Sequence, residues 1–169
     1  WTELERSTKC HSYNTRAYTA VLKDIPARLS WLEVCSGMFV TIHGRHGPIN
    51  QPSSCERKDH GTVVSTWLVN FNEPKCVPYW DGISNKGCAP GKPGMGRVQG
   101  RLWGLRSGDD WGRTCARTPA TFNGTYLEHP TSCENKVCAL IRSLHSVMFI
   151  RTQVISGTTG LWDYSDEAC

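Results

Sequence analysis

Two carboxylates and a tryptophan stand side by side in "SGDDWGRTC": Asp109, Asp110 and Trp111. An indole beside an acid is what a sugar-binding surface uses. The ring stacks on the apolar face of a pyranose, and the carboxylate accepts hydrogen bonds from its hydroxyls. The pairing recurs in "PYWDG", where Trp80 precedes Asp81, and Trp103 stands among turn residues in "LWGL". Trp111 with Asp109 and Asp110 is the first candidate site, Trp80 with Asp81 the second, and Trp103 a further ring. The competing use of seven tryptophans is packing over disulfides and glycine bends in a small core.

The same residues admit other chemistry. Carboxylates at the start of a helix are stabilised by its dipole, and that is the ordinary employment of an Asp-Asp pair. A hydrolase would add a second acid or a histidine at a defined separation; Glu73, Asp81 and His60 are available. No G-x-S-x-G, H-E-x-x-H or P-loop occurs. His43 and His46, with Asp59 and His60, resemble a metal cluster. Residues three apart on a strand face opposite ways, so the pair converges only if Gly44 begins a turn. Solvated histidines are the expectation, with no metal and no cofactor. "NGT" at Asn123 follows a turn-rich run and reads as a surface N-glycosylation acceptor.

Cysteine sets the compartment. Nine are dispersed over the chain, without the tight pairs that zinc ligands form. They read as a disulfide framework of an oxidising environment. Cys10, Cys35, Cys55, Cys76, Cys88, Cys115, Cys133 and Cys169 are expected to form four bridges, in a connectivity that spacing leaves open. Cys138 is the odd one, in an apolar stretch where a thiol behaves as a small hydrophobe. No charged-then-apolar leader opens "WTELERSTKC", so an exported protein would already have lost it. Net charge is +4, and the basic residues form no stripe, which argues against nucleic acid. The expected partner is a glycan or a cell-surface glycoprotein.

The elements that must hold these residues read as one α+β domain over 1–169. An antiparallel sheet of four to five strands is flanked by two to three short helices and stapled by disulfides. "AYTAVL" (17–22) is strand-like. A helix is expected over 24–37, capped by Asp24, with Leu29, Leu32 and Cys35 on one side. "MFVTIHG" (38–44) alternates. "GTVVSTWLVNF" (61–71) is apolar on both faces, as a strand covered on both sides would be. Residues 73–96 are rich in Pro and Gly and read as irregular. "RVQGRLWGL" alternates again, and a short helix follows within 107–118. Thr131 and Glu134 resemble a capping box opening a helix over 132–146, which runs into a strand over 148–155. Arg142, His145 and Arg151 make the stretch too polar to span a membrane. No internal repeat or linker is evident.

"TVVSTWLVNF", "RLWGLRSGDDWGRTC" and "GLWDYSDEAC" resemble pieces of small, secreted, cysteine-rich proteins of filamentous fungi. The resemblance covers about 35–169 and implies secretion and disulfides, but no activity. It departs at 137–156, which intervene between the "SCEN" cysteine and the glycine-tryptophan tail and bring in Cys138. The segment reads as a helix of this lineage or as an insertion. Three functions are open: a non-catalytic secreted binding protein of the lectin or effector kind, recognising glycans through surface tryptophans; a small hydrolase using Asp109 or Asp110 with a histidine; or an enzyme inhibitor presenting the 73–96 loop.

Overall fold

The computed structural model describes residues 1–44, 51–136 and 157–169. Among them the chain forms ten β-strands and two short α-helices. They sort into two compact units, Trp1–Val77 with Arg106–Asp110, and Pro78–Leu105 with Trp111–Cys169.

In the first unit β1 (Glu5–Ser12) and β2 (Thr15–Leu22) form a hairpin, followed by α1 (Trp31–Gly37), β3 (Ser54–Arg57) and β4 (Val63–Val69). All pairings are antiparallel, in the order β1-β2-β4-β3. Alternation explains which side faces the core. Tyr18, Ala20 and Leu22 of β2 and Val63, Trp67 and Val69 of β4 are buried, and Trp1 meets Trp67 edge to face at 5.1 Å. The other face is only partly covered: Val64 and Thr66 are half-buried and Leu68 is exposed. β4 is therefore central but not covered on both sides, as its composition had implied. Residues 38–44 form no extended strand, although Ile42 still turns inward.

The expected helix over 24–37 shrinks to its last seven residues. Asp24 sits at φ 56°, a left-handed turn rather than a cap. Ser30 caps instead, its hydroxyl accepting from the Glu33 N–H at 3.5 Å. Leu29 and Leu32 point outward and Cys35 alone is buried. So short a helix is not stable by itself; the Cys35–Cys55 bridge ties it to β3.

The second unit contains β5 (Tyr79–Cys88), β6 (Met95–Trp103), α2 (Trp111–Cys115), a ribbon of β7 (Ala120–Phe122) and β8 (Thr125–Leu127), then β9 (Ser132–Lys136) and β10 (Gly157–Ser165). Its main sheet runs β5-β6-β10-β9, again antiparallel. The anticipated four-to-five-strand sheet thus occurs twice, with two short helices and four disulfides. Two local readings are corrected. Residues 73–96, taken as irregular, contain β5: its register shifts between Asp81 and Ser84 and again between Asn85 and Cys88, where Gly82 and Gly87 adopt positive φ. Glycine there accommodates bulges rather than ending the strand. The helix expected from 132 is contradicted over Ser132–Lys136, which pairs with Gly157–Leu161 of β10; Thr131 accepts from the Asp163 N–H instead of capping. The remainder of that helix, the strand over 148–155 and Cys138 lie outside the described residues.

The two units repeat one plan, which corrects the reading of the sequence as free of repeats. Each is hairpin, short helix, then two strands that complete a sheet in the order first-second-fourth-third, with the β7–β8 ribbon added between helix and third strand in the second unit. Tyr18 pairs with Trp67 in one sheet and Val98 with Trp162 in the other; Cys55 opposes Ser65, and Cys133 opposes Gly160. The disulfides agree too. Cys10–Cys76 and Cys88–Cys169 link the first strand to the end of the unit, whereas Cys35–Cys55 and Cys115–Cys133 link the helix to the third strand. By loop-closure entropy the long bridges contribute about 4.4 kcal/mol each and the short ones about 3 kcal/mol. The sequences coincide where this plan needs particular residues. Trp31 and Trp111 open W-x-x-x-C, Thr41-Ile42-His43-Gly44 matches Thr121-Phe122-Asn123-Gly124, and Pro52-Ser53-Ser54-Cys55-Glu56 matches Pro130-Thr131-Ser132-Cys133-Glu134. The principal length difference falls between the last two strands. Residues 58–62 join β3 to β4, but 137–156 lie between β9 and β10.

Candidate ligand-binding surfaces

The strand phase of β5 and β6 decides which tryptophans can meet a ligand. Trp80 pairs with Leu102 on the core side; its ring packs edge to face on Trp162 at 4.7 Å, and its indole N–H donates to the Thr118 carbonyl at 3.1 Å. Trp162 is buried. The residues beside them face the other way. Tyr79 pairs with Trp103 and Asp81 with Arg101, so these four share one face on alternate rungs. Tyr79 is 61% exposed and Trp103 41%. The Arg101 guanidinium lies 4.4 Å from the centroid of the Trp103 ring, a cation–π contact that steadies the indole.

That face continues along β6 and β10. A groove of about 310 Å³ is lined by Arg97, Gln99, Glu134, Leu161, Lys86 and Pro90, with Cys88 at its edge. Its end is fixed by a charged clasp. The Arg97 guanidinium donates to both Asp163 oxygens at 2.6 and 3.1 Å, and Lys92 donates to Oδ2 at 2.7 Å. The Arg97 hydrogen bond chiefly holds the Asp163 carboxyl down at about 2, burial opposing it. The sheet face therefore carries two open aromatic rings at one end and a polar groove along its length.

Of the residues singled out in the sequence, Asp81 and Trp103 are brought together, joined by Tyr79 and Arg101, which composition alone did not mark. Trp111 opens α2 and is 40% exposed. Asp109 belongs to the first unit, where its oxygens accept from the Cys10 N–H at 2.7 Å and the Arg106 N–H at 3.0 Å. Its side chain is 3% exposed, so it serves as a local brace. Asp110 is exposed and already engaged. Asn123 is exposed at the turn between β7 and β8. His46 lies outside the described residues, and among those described no three His, Cys, Asp or Glu side chains are grouped to hold a metal.

The strongest electrostatic feature lies elsewhere. Glu73 is fully buried in the first unit, and four side chains donate to it. Tyr18 and His43 meet Oε1, the histidine at 2.9 Å; Arg16 and Arg6 meet Oε2 at 2.7 and 2.8 Å. The Tyr18 hydroxyl also touches His43 Nε2 at 3.0 Å. Burial alone would raise the Glu73 carboxyl; the hydrogen bonds from Tyr18, Arg16, His43 and Arg6 outweigh it and hold the group at about 2. Burial first, and the bond to Glu73 second, push the Tyr18 hydroxyl up to about 12. A carboxylate so saturated is a poor base. The cluster instead fastens β1, β2, the 42–44 turn and the end of the unit to one buried charge. Its members are scattered from 6 to 73 and carry no spacing that could be read in advance.

No helix among the described residues is long and apolar enough to cross a membrane. Compared with protein families, curated proteins and solved structures, the chain matches none.

Proposed function

We propose that the protein is a secreted, non-catalytic, glycan-binding protein whose contact surface is the open face of its second sheet. The observation that carries this reading is the Tyr79–Trp103 pair: two aromatic rings side by side on neighbouring strands, both open to solvent, with Asp81 and Arg101 two rungs along on the same face. Stacking on these rings supplies apolar contact to a sugar ring, and the Asp81 carboxylate and the groove of Gln99 and Glu134 offer acceptors and donors to hydroxyls. Arg101 fixes the Trp103 ring before the ligand arrives, which lowers the ordering cost of binding. The disulfide framework suits an oxidising compartment, and the resemblance to small secreted fungal proteins fits the same view. The target is then a glycan or a cell-surface glycoprotein.

Trp111 remains an open ring, and of the two carboxylates before it Asp109 is committed, its oxygens accepting from the Cys10 and Arg106 N–H groups. The hydrolase alternative at Asp109 suffers from the same commitment. The inhibitor alternative keeps only a short presenting loop, because half of 73–96 is strand and the turn at 89–94 joins β5 to β6. A glycan array probed with purified protein, followed by titration of any hit against Trp103→Ala, tests the proposal. A loss of about 2 kcal/mol, roughly thirtyfold in affinity, is expected for an aromatic anchor. Binding to no glycan at millimolar concentration would end it.

A further inference from the structure

Comparing the two units exposes a place where the second lacks something. In the first, the turn Thr41-Ile42-His43-Gly44 is clamped to the sheet, because His43 reaches both Tyr18 and Glu73. In the second, Asn123 replaces His43, at almost the same left-handed φ of 47° against 50°. The position of Tyr18 is Val98, which the pairing with Trp162 identifies. The position of Arg16 is Gly96, opposite the first cysteine of its hairpin in each unit. No ion cluster can form from those residues. A side chain at Gly96 would meet the Tyr164 ring at 2.6 Å, so glycine there lets Tyr164 lie over the strand. The result is a groove of about 170 Å³ between sheet and turn, lined by Asn85, Phe122, Asn123, Thr125, Leu127 and Tyr164.

Two of those six residues, Asn123 and Thr125, are the first and last of the N-x-T sequon. We propose that this groove is the cradle for the first N-acetylglucosamine of a glycan carried by Asn123, and that the sugar performs for the second unit the clamping that His43 performs for the first. The modification itself is ordinary chemistry. The Asn123 carboxamide nitrogen attacks C1 of the sugar on a lipid-diphosphate-linked oligosaccharide. The C1–N bond forms, the bond from C1 to the phosphate oxygen breaks, the lipid diphosphate leaves, and the amide gives up one proton. The turn is exposed, as an acceptor must be. The attached ring then finds Phe122 and Tyr164, whose centroids are 6.5 Å apart, as apolar walls. Asn85 donates to the Tyr164 hydroxyl at 3.3 Å while its carbonyl accepts from the Gly87 N–H at 2.7 Å. One amide hydrogen of Asn85 is thus left for a sugar oxygen or the acetamido carbonyl. The space is that of roughly six waters, on the scale of one sugar ring and smaller than sites for larger ligands.

The proposal rests on the chain passing through a secretory pathway, and its test separates the two. The full chain is exported behind a foreign leader from a eukaryotic host, so that native localisation is not at issue. Occupancy at Asn123 is read by intact mass. Thermal melts then compare the complete glycan, the glycan trimmed to a single N-acetylglucosamine, and the fully deglycosylated protein. One sugar should retain the whole stabilisation, and its removal should lower Tm by about 3–5 °C. In Tyr164→Val, which installs an aliphatic wall, trimming and complete removal should give the same Tm. An unoccupied Asn123, a wild-type Tm indifferent to the last sugar, or an undiminished effect in Tyr164→Val would each overturn the proposal.

Discussion

Replacing Glu73 by Gln keeps the shape of the buried acid and removes its charge. The Arg16 guanidinium, 3% exposed and 2.7 Å away, would then be a buried cation facing a neutral amide. Breaking a buried pair on one side costs about 3–5 kcal/mol. The proton linkage gives a similar figure. A carboxyl held at about 2, against an ordinary value of about 4.3, represents roughly 3 kcal/mol. The sign follows from the depression: the contribution is complete above the unfolded value of about 4.3 and is lost as pH falls through about 2. Glu73→Gln should therefore melt much lower than wild type at neutral pH, by about 12 °C or more for a unit of this size. The gap should close as both are taken toward pH 2. Calorimetry at several pH values, with disulfides intact, reads both effects. A variant within about 1 kcal/mol of wild type at neutral pH, or a gap that does not narrow in acid, would refute the reasoning that this cluster is a charge-stabilised staple.

Three further outcomes are expected. Deleting 137–156 joins Lys136 to Gly157 and leaves Asn135 and Thr158, already partners, closed by a two-residue Lys-Gly turn. We expect a folded protein with its four bridges and a Tm within a few degrees of the parent; a scrambled or molten product would mean that the segment belongs to the unit. Peptide mapping should give the pairs Cys10–Cys76, Cys35–Cys55, Cys88–Cys169 and Cys115–Cys133. One thiol, Cys138, should label under denaturing, non-reducing conditions, and a label elsewhere would contradict the assignment.

What the sequence could disclose was decided by the range of each signal. The β-branched and aromatic content of "AYTAVL" and the alternation of "RVQGRLWGL" locate β2 and β6, because both signals are local. The cysteines announced bridges but not pairs, since pairing depends on which strands meet. Thr131 and Glu134 carry a genuine capping signal, and it loses to the non-local ladder between β9 and β10, whose five registered pairs and the Cys115–Cys133 bridge hold the segment extended. Gly82 and Gly87 made "YWDGISNKGC" look irregular, and with β5 went the phase that sends Trp80 inward and Tyr79 outward. For that reason nothing in the sequence marks Tyr79 as a surface ring. The repeat had a visible trace in the two W-x-x-x-C stretches and in "PSSCE" and "PTSCE". It was hidden by strands that share burial but not residues, and by 137–156, which throws the two halves out of register.

Glycan is proposed to bind at the open face around Tyr79 and Trp103, and this can be checked on the residues themselves. Binding there is tested most directly by following the side-chain NMR signals of isotope-labelled protein during titration with a glycan identified on an array. Saturable shifts are expected, centred on the Trp103 indole N–H, the Arg101 guanidinium and the Tyr79 ring, with Trp80 and Trp162, which face the core, scarcely moved. Shifts centred instead on Trp111, or none at millimolar glycan, would contradict it.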